Sequence, residues 1–129
     1  MITKIESGNK IFALLIDLSD IHEGTSPVTN PSWPIQLLLM KRRKGHVVPK
    51  HTHKKIIKST KQPQEAIVVI KGEIEASIFD RKGKFIAQKK VSSGQCLLIA
   101  DGGHEIKITK NTLIYAFKDG PYREDKIIL

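Results

Sequence analysis

The feature that most constrains this 129-residue chain is the rhythm of its second half. Residues 65–70, 73–79, 84–91, 96–100, 104–109 and 112–118 are short apolar-rich runs. Between them stand turns: Lys71-Gly72, Asp80-Arg81-Lys82-Gly83, Ser92-Ser93-Gly94, Asp101-Gly102-Gly103 and Lys110-Asn111. Strands recurring about every eight to twelve residues with Gly-centred turns predict an all-β barrel or sandwich. No stretch carries a helical period. In the first half, residues 2–6 and 10–18 read as strands, and Gly8-Asn9 as the turn joining them. Residues 19–34 read as a loop dominated by Ser, Asp, Gly, Thr, Asn and the prolines Pro27, Pro31 and Pro34. Trp33 ends that loop and is expected to cap the core. Residues 35–40 read as a buried strand.

The length is that of one domain with a real hydrophobic core. A hydrophobic share of 40% and a charged share of 27% belong to an ordinary globular protein. No segment approaches the roughly 18 apolar residues of a membrane helix. Cys96 is the single cysteine, which excludes an internal disulfide and fits a reducing, cytoplasmic setting. Its apolar strand makes it a buried inert thiol.

The formal net charge is +9. Its sources concentrate in Lys41-Arg42-Arg43-Lys44 and in Lys50, Lys54, Lys55, Lys58 and Lys61. Such a field attracts anions, from phosphorylated metabolites to nucleic acids. Nucleic-acid binding would call for aromatic stacking platforms. The chain has one Trp, two Tyr and four Phe, and none lies inside the basic clusters. A small anionic metabolite is therefore the expected partner.

His51 and His53 are two apart, so in an extended strand both imidazoles point to one face. Neutral ring nitrogens bind Zn, Fe, Ni, Cu or Mn. By the same alternation Glu65 shares a face with Ile67 and Val69, and His104 with Ile106 and Ile108. An unpaired buried polar group costs roughly 1–3 kcal/mol, and a buried carboxylate needs a cation or a donor. A metal meeting all four side chains would satisfy both. His46 falls on no such spacing and reads as the strand's entry, and His22 in its loop reads as solvated.

These residues resemble the cupin superfamily. Its first motif is Gly, five residues, His-x-His, a spacer, Glu, six residues, Gly. Gly45, His51, His53, Glu65 and Gly72 match it in order, with a longer spacer before Glu65. The second motif runs from Gly through an apolar strand and a turn to His, as Gly94 through Cys96-Leu97-Leu98-Ile99 to Asp101-Gly102-Gly103-His104. The resemblance implies a single domain over residues 1–129, an all-β cupin-type double-stranded β-helix (jelly-roll barrel). Its core would span about residues 35–119, with the N-terminal strands and C-terminal tail packed on it or on a partner chain. It implies one divalent transition metal (Fe, Mn, Zn or Ni) held by His51, His53, Glu65 and His104, and a homodimer built through edge strands. Gly102-Gly103-His104-Glu105 and the tail Lys118-Asp119-Gly120-Pro121-Tyr122 are similar to small single-domain cupins associated with sugar and surface-polysaccharide metabolism.

The expectation is thus a metal-dependent enzyme, isomerase- or epimerase-like, acting on a small anionic sugar derivative. Arg43, Lys54 and Lys55 would hold the anionic group and Tyr115 would serve in acid/base work. With Fe(II) the same site would suit a dioxygenase. Two alternatives stand beside it. One is a non-catalytic ligand-binding or sensor domain. The other is a metal-free nucleotide-sugar isomerase or epimerase using His51 or His53 as general base.

Overall fold

A computed structural model describes all 129 residues. They form ten β-strands and no helix: β1 Ile2–Ser7, β2 Lys10–Ile16, β3 Gly24–Pro27, β4 Leu38–Lys41, β5 Glu65–Lys71, β6 Glu73–Phe79, β7 Phe85–Ser92, β8 Cys96–Ile99, β9 Gly103–Ile108 and β10 Leu113–Lys118. All pairings are antiparallel. One sheet runs β1-β2-β8-β5-β10, a second runs β7-β6-β9, and β3 pairs only with β4.

The two larger sheets enclose the main core. Alternation sends Ile67 and Val69 of β5, Leu97 and Ile99 of β8 and Ala13 of β2 inward from one sheet. Ile74, Ala76 and Ile78 of β6 and Val91 of β7 meet them from the other. Ile74, Ile78, Leu97, Val69 and Val91 are fully buried, each contributing about 2 kcal/mol through area removed from water. The opposite face of the five-stranded sheet carries a second cluster of Leu14, Ile16, Ala66, Leu98 and Ala100. Trp33, Ile35, Leu37 and Leu39 cover it. Strands β2, β5 and β8 are therefore apolar on both faces, and Trp33 caps core as its size and position predict.

Two expectations need correcting. Residues 19–34 contain a strand, β3, whose Gly-Thr-Ser-Pro has no apolar alternation and is held by backbone pairing with β4 and by the Arg42 guanidinium donating to Thr25 Oγ1 at 2.6 Å. Residues 35–40 are not one buried strand: β4 starts only at Leu38, and of its residues only Leu39 is buried. The preceding backbone is committed to the loop. Gln36 Nε2 donates to the carbonyls of Asn30 (2.9 Å) and Trp33 (2.8 Å), and the Leu37 N–H donates to Thr29 Oγ1 at 3.0 Å.

The two sheets close on one side, where β1 packs against β7. On the other side β9 and β10 are both edges, and no strand bridges them. The consequence shows in β10, whose six residues are all exposed. Ile108 of β9, expected inward with His104, is 54% exposed for the same reason. No helix is long and apolar enough to cross a membrane.

Candidate functional site

Glu65 opens β5 and His104 follows the Gly-rich turn into β9, so the two come from opposite sheets. Register fixes where they point. Glu65 is opposite Lys118 on β10 and Ile99 on β8, and His104 is opposite Ile78 on β6. Ile99 and Ile78 belong to the main core, so both polar side chains face the space between the sheets, at one mouth. There His104 Nε2 lies 3.2 Å from Glu65 Oε2, with side chains 30% and 21% exposed. The Glu65 carboxyl is held below its ordinary value. The hydrogen bond from His104 is the main cause; burial opposes it, and the charges of His104, Lys118 and Lys126 assist. His104 Nδ1 has no hydrogen-bond partner within the chain and is the nitrogen left for a ligand.

The turn that delivers His104 is held by Asp101, itself nearly buried. Its carboxylate pairs with Lys10 and with Arg81 Nε at 3.0 Å, and accepts the Gly102 N–H at 2.6 Å. Gly102 has φ +73°, and a Cβ there would collide with the Phe79 carbonyl oxygen and lie 2.8 Å from Phe12 Cδ1. Only glycine suits this position. Gln62 and Gln64 both donate from Nε2 to the Ala100 carbonyl, at 2.9 and 3.2 Å, and tie the start of β5 to the same turn.

The pair stands in a cleft of about 1060 Å³ whose rim carries Lys61, Arg81, Lys82, Lys118, Arg123 and Lys126. Glu105, Asp119 and Asp125 also line it, so cations outnumber anions there even with Glu65 counted. The C-terminal residues form one wall, and Leu129 abuts Gly103, where a Cβ would strike its Cδ1.

The other sequence-derived candidates lie elsewhere. His51 and His53 are on residues 42–64, which contain no strand. Their rings stack edge to face with centroids 5.1 Å apart, and His51 Nδ1 is 2.7 Å from the Pro49 carbonyl. The structure joins Glu65 to His104 and His51 to His53, but not the two pairs: no three His, Cys, Asp or Glu groups converge. Donor separations of about 3.3 Å are what two ligands of one tetrahedral zinc show. The 3.2 Å between Glu65 and His104 is of that size, but Nε2 there is engaged with the carboxylate and no third His, Cys, Asp or Glu group joins the pair.

Arg43 pairs with Glu23 (3.2 Å), and neither it nor Lys54 or Lys55 lines the cleft. Of the loop's lysines only Lys61 does so. Tyr115 is opposite Val68, which puts it on the other face of the sheet from Glu65. Sequence reasoning missed Lys118, Arg81, Arg123 and Lys126. For Lys118 the signal was present, since it alternates in phase with Ala116, the neighbour of inward-facing Ile67. No protein-family model, no curated protein and no solved structure matches this chain.

Proposed function

We propose that this chain is a cupin-like enzyme that binds a small anionic sugar derivative in the cleft and transfers a proton on it, in the manner of an isomerase or epimerase. The observation that carries the reading is the Glu65–His104 pair at 3.2 Å inside a cation-rimmed cleft. Two facing antiparallel sheets, closed at β1–β7 and open at one mouth, support the jelly-roll reading of the barrel.

The chemistry follows from the pair. Imidazole exchanges protons near neutral pH, and Glu65 fixes the tautomer by accepting from Nε2–H. Nδ1 is then the base. It takes a proton from a carbon next to the sugar carbonyl, and the electron pair moves onto the carbonyl oxygen. The imidazolium formed is stabilised by the Glu65 carboxylate, and the same nitrogen returns the proton on the same face to the neighbouring carbon, while the hydroxyl proton passes to the enolate oxygen; inversion at the first carbon would take a second acid on the opposite face. Lys118, Arg123 and Lys126 hold the anionic group and offset charge on the enolate oxygen.

The test is a panel of phosphosugars and nucleotide-sugars incubated in deuterated water, with deuterium incorporation beside the carbonyl followed by NMR. Exchange should occur with at least one compound and fall about 100-fold or more in His104→Gln. Lys118→Ala should raise KM with kcat largely kept. If no compound binds or exchanges, or if His104→Gln exchanges at the wild-type rate, the proposal is wrong.

A further inference from the structure

The net charge of this chain sits in one stretch. Residues 41–61 hold nine of its 22 Lys and Arg and none of its 13 Asp and Glu. The 13 basic and 13 acidic residues elsewhere cancel, so the whole formal charge of +9 belongs to this stretch. Of its nine cations only Arg43 has a carboxylate partner, Glu23 at 3.2 Å.

The same stretch holds aliphatic side chains out in the open. Every residue from 41 to 61 is exposed. Val47 and Val48 are 75% and 53% exposed, and Ile56 and Ile57 are 66% and 100% exposed. Each apolar pair is bracketed by cations, Lys44 and Lys50 around the valines and Lys55 and Lys58 around the isoleucines. Leu38 and Met40, which share a face of β4 just before the stretch, are about half exposed as well. Between positions 44 and 61 the only hydrogen bonds are local, from the His46 N–H to the Arg43 carbonyl and between His51 and Pro49. The fold therefore neither buries these side chains nor ties down the backbone that carries them.

We propose that residues 41–58 dock this chain on the surface of a lipid bilayer with anionic headgroups. The lysines and arginines meet the headgroups, and Val47, Val48, Ile56 and Ile57 enter the boundary with the acyl chains. The mixture of side chains selects the occupant. Each Lys or Arg near an anionic membrane surface strengthens binding about five-fold. Charge alone or a short apolar anchor alone holds a protein only reversibly, and the two together give stable attachment. A nucleic acid would satisfy the cations but has no apolar phase for bare isoleucine and valine. Its single strands are held by aromatic stacking, and no Phe, Tyr or Trp lies between Trp33, which packs in the core, and Phe79. The rest of the chain is neutral in sum, so no net charge elsewhere competes with this stretch in orienting the approach.

The inference does not depend on the chemistry of Glu65 and His104. Its test is sedimentation of the full chain with vesicles of phosphatidylcholine, pure or containing a third phosphatidylserine. The mixed vesicles should bind at about 0.1 M salt and release the chain as salt approaches about 1 M, where the Debye length falls to about 3 Å. Pure phosphatidylcholine should bind at least about 10-fold more weakly. Lys54→Gln/Lys55→Gln/Lys58→Gln should weaken binding to the mixed vesicles about 100-fold. Lys4→Gln/Lys84→Gln/Lys107→Gln removes the same charge from exposed positions elsewhere and should stay within about three-fold of wild type. Ile56→Ser/Ile57→Ser keeps every charge and should cost about 10-fold. All three variants alter exposed side chains, so their circular dichroism should match wild type. No binding to the mixed vesicles, equal losses in the two lysine variants, or wild-type binding by Ile56→Ser/Ile57→Ser would each overturn the proposal. Tighter binding to a duplex DNA than to the mixed vesicles, kept in full by Ile56→Ser/Ile57→Ser, would overturn it in favour of a nucleic acid.

Discussion

Asp101→Asn tests how the turn that carries His104 is held. Burial pushes the Asp101 carboxyl up, but Lys10, the Gly102 N–H and Gln62 outweigh it and bring it to about 2, against 3.8 for an ordinary Asp. Each pKa unit is worth about 1.4 kcal/mol, so the charged form contributes about 2 kcal/mol to folding at neutral pH. Asparagine keeps the oxygen that accepts the Gly102 N–H and abolishes the charge. The partners left behind, Lys10 and Arg81, are more than half exposed and rehydrate, so no buried cation adds to the loss. At fixed protein concentration, thermal unfolding at pH 7 should show a drop of about 7 °C for a chain of this length. The sign of the pH dependence is set by the depressed value. The contribution is complete above the unfolded pKa near 3.8 and disappears as pH falls through about 2. Wild type and variant should therefore differ by a constant amount from pH 7 to about 5 and converge between about 4 and 2. Profiles that stay parallel through pH 3 would refute the reasoning, since the missing stability would then not be electrostatic.

Two further outcomes are expected. Gly102→Ala should destabilise by about 3 kcal/mol or more, because strain at positive φ adds to the collision with Phe79. Gly94→Ala, at φ +85° with nothing within 4 Å of the added Cβ, should lose only about 1 kcal/mol; equal losses in denaturant titrations would contradict this account. Cys96, whose thiol burial pushes up to about 11, should resist a thiol reagent at pH 8 until denaturant opens the sheet. Rapid labelling of the native protein would show that β8 is not covered as described.

Much of the strand order was legible because punctuation and period agree along residues 65–118. Gly72, Gly83, Gly94 and Gly102 all have positive φ at strand ends, where glycine is the residue that fits. The alternation at Glu65-Ile67-Val69 also pointed inward correctly. β3 was illegible because its pairing uses backbone groups that every sequence possesses. The strand at 35–40 was overread because a run of apolar residues says nothing about where its amides bond, and Gln36 and Thr29 redirected them.

In the site, the inward faces of Glu65 and His104 could be read from their neighbours, whereas their meeting across two sheets depends on topology. Arg43, Lys54 and Lys55 were chosen from charge density, which does not tell where a loop travels. Tyr115 was chosen for its chemistry, and the register opposite Val68 turns it away.

The order β1-β2-β8-β5-β10 bears on how the chain reaches this state. β1–β2 is a local hairpin, but β2 waits for β8, β8 for β5 and β5 for β10, each partner far away in sequence. Loop closure must precede the gain from such contacts, which places folding in the slow, millisecond-to-second range of small β proteins. During synthesis β10 emerges last. Until it arrives, the Ala66-Ile67-Val68-Val69-Ile70 run has an uncovered edge, and a nascent chain holds this apolar, β-prone segment open while four further strands are made.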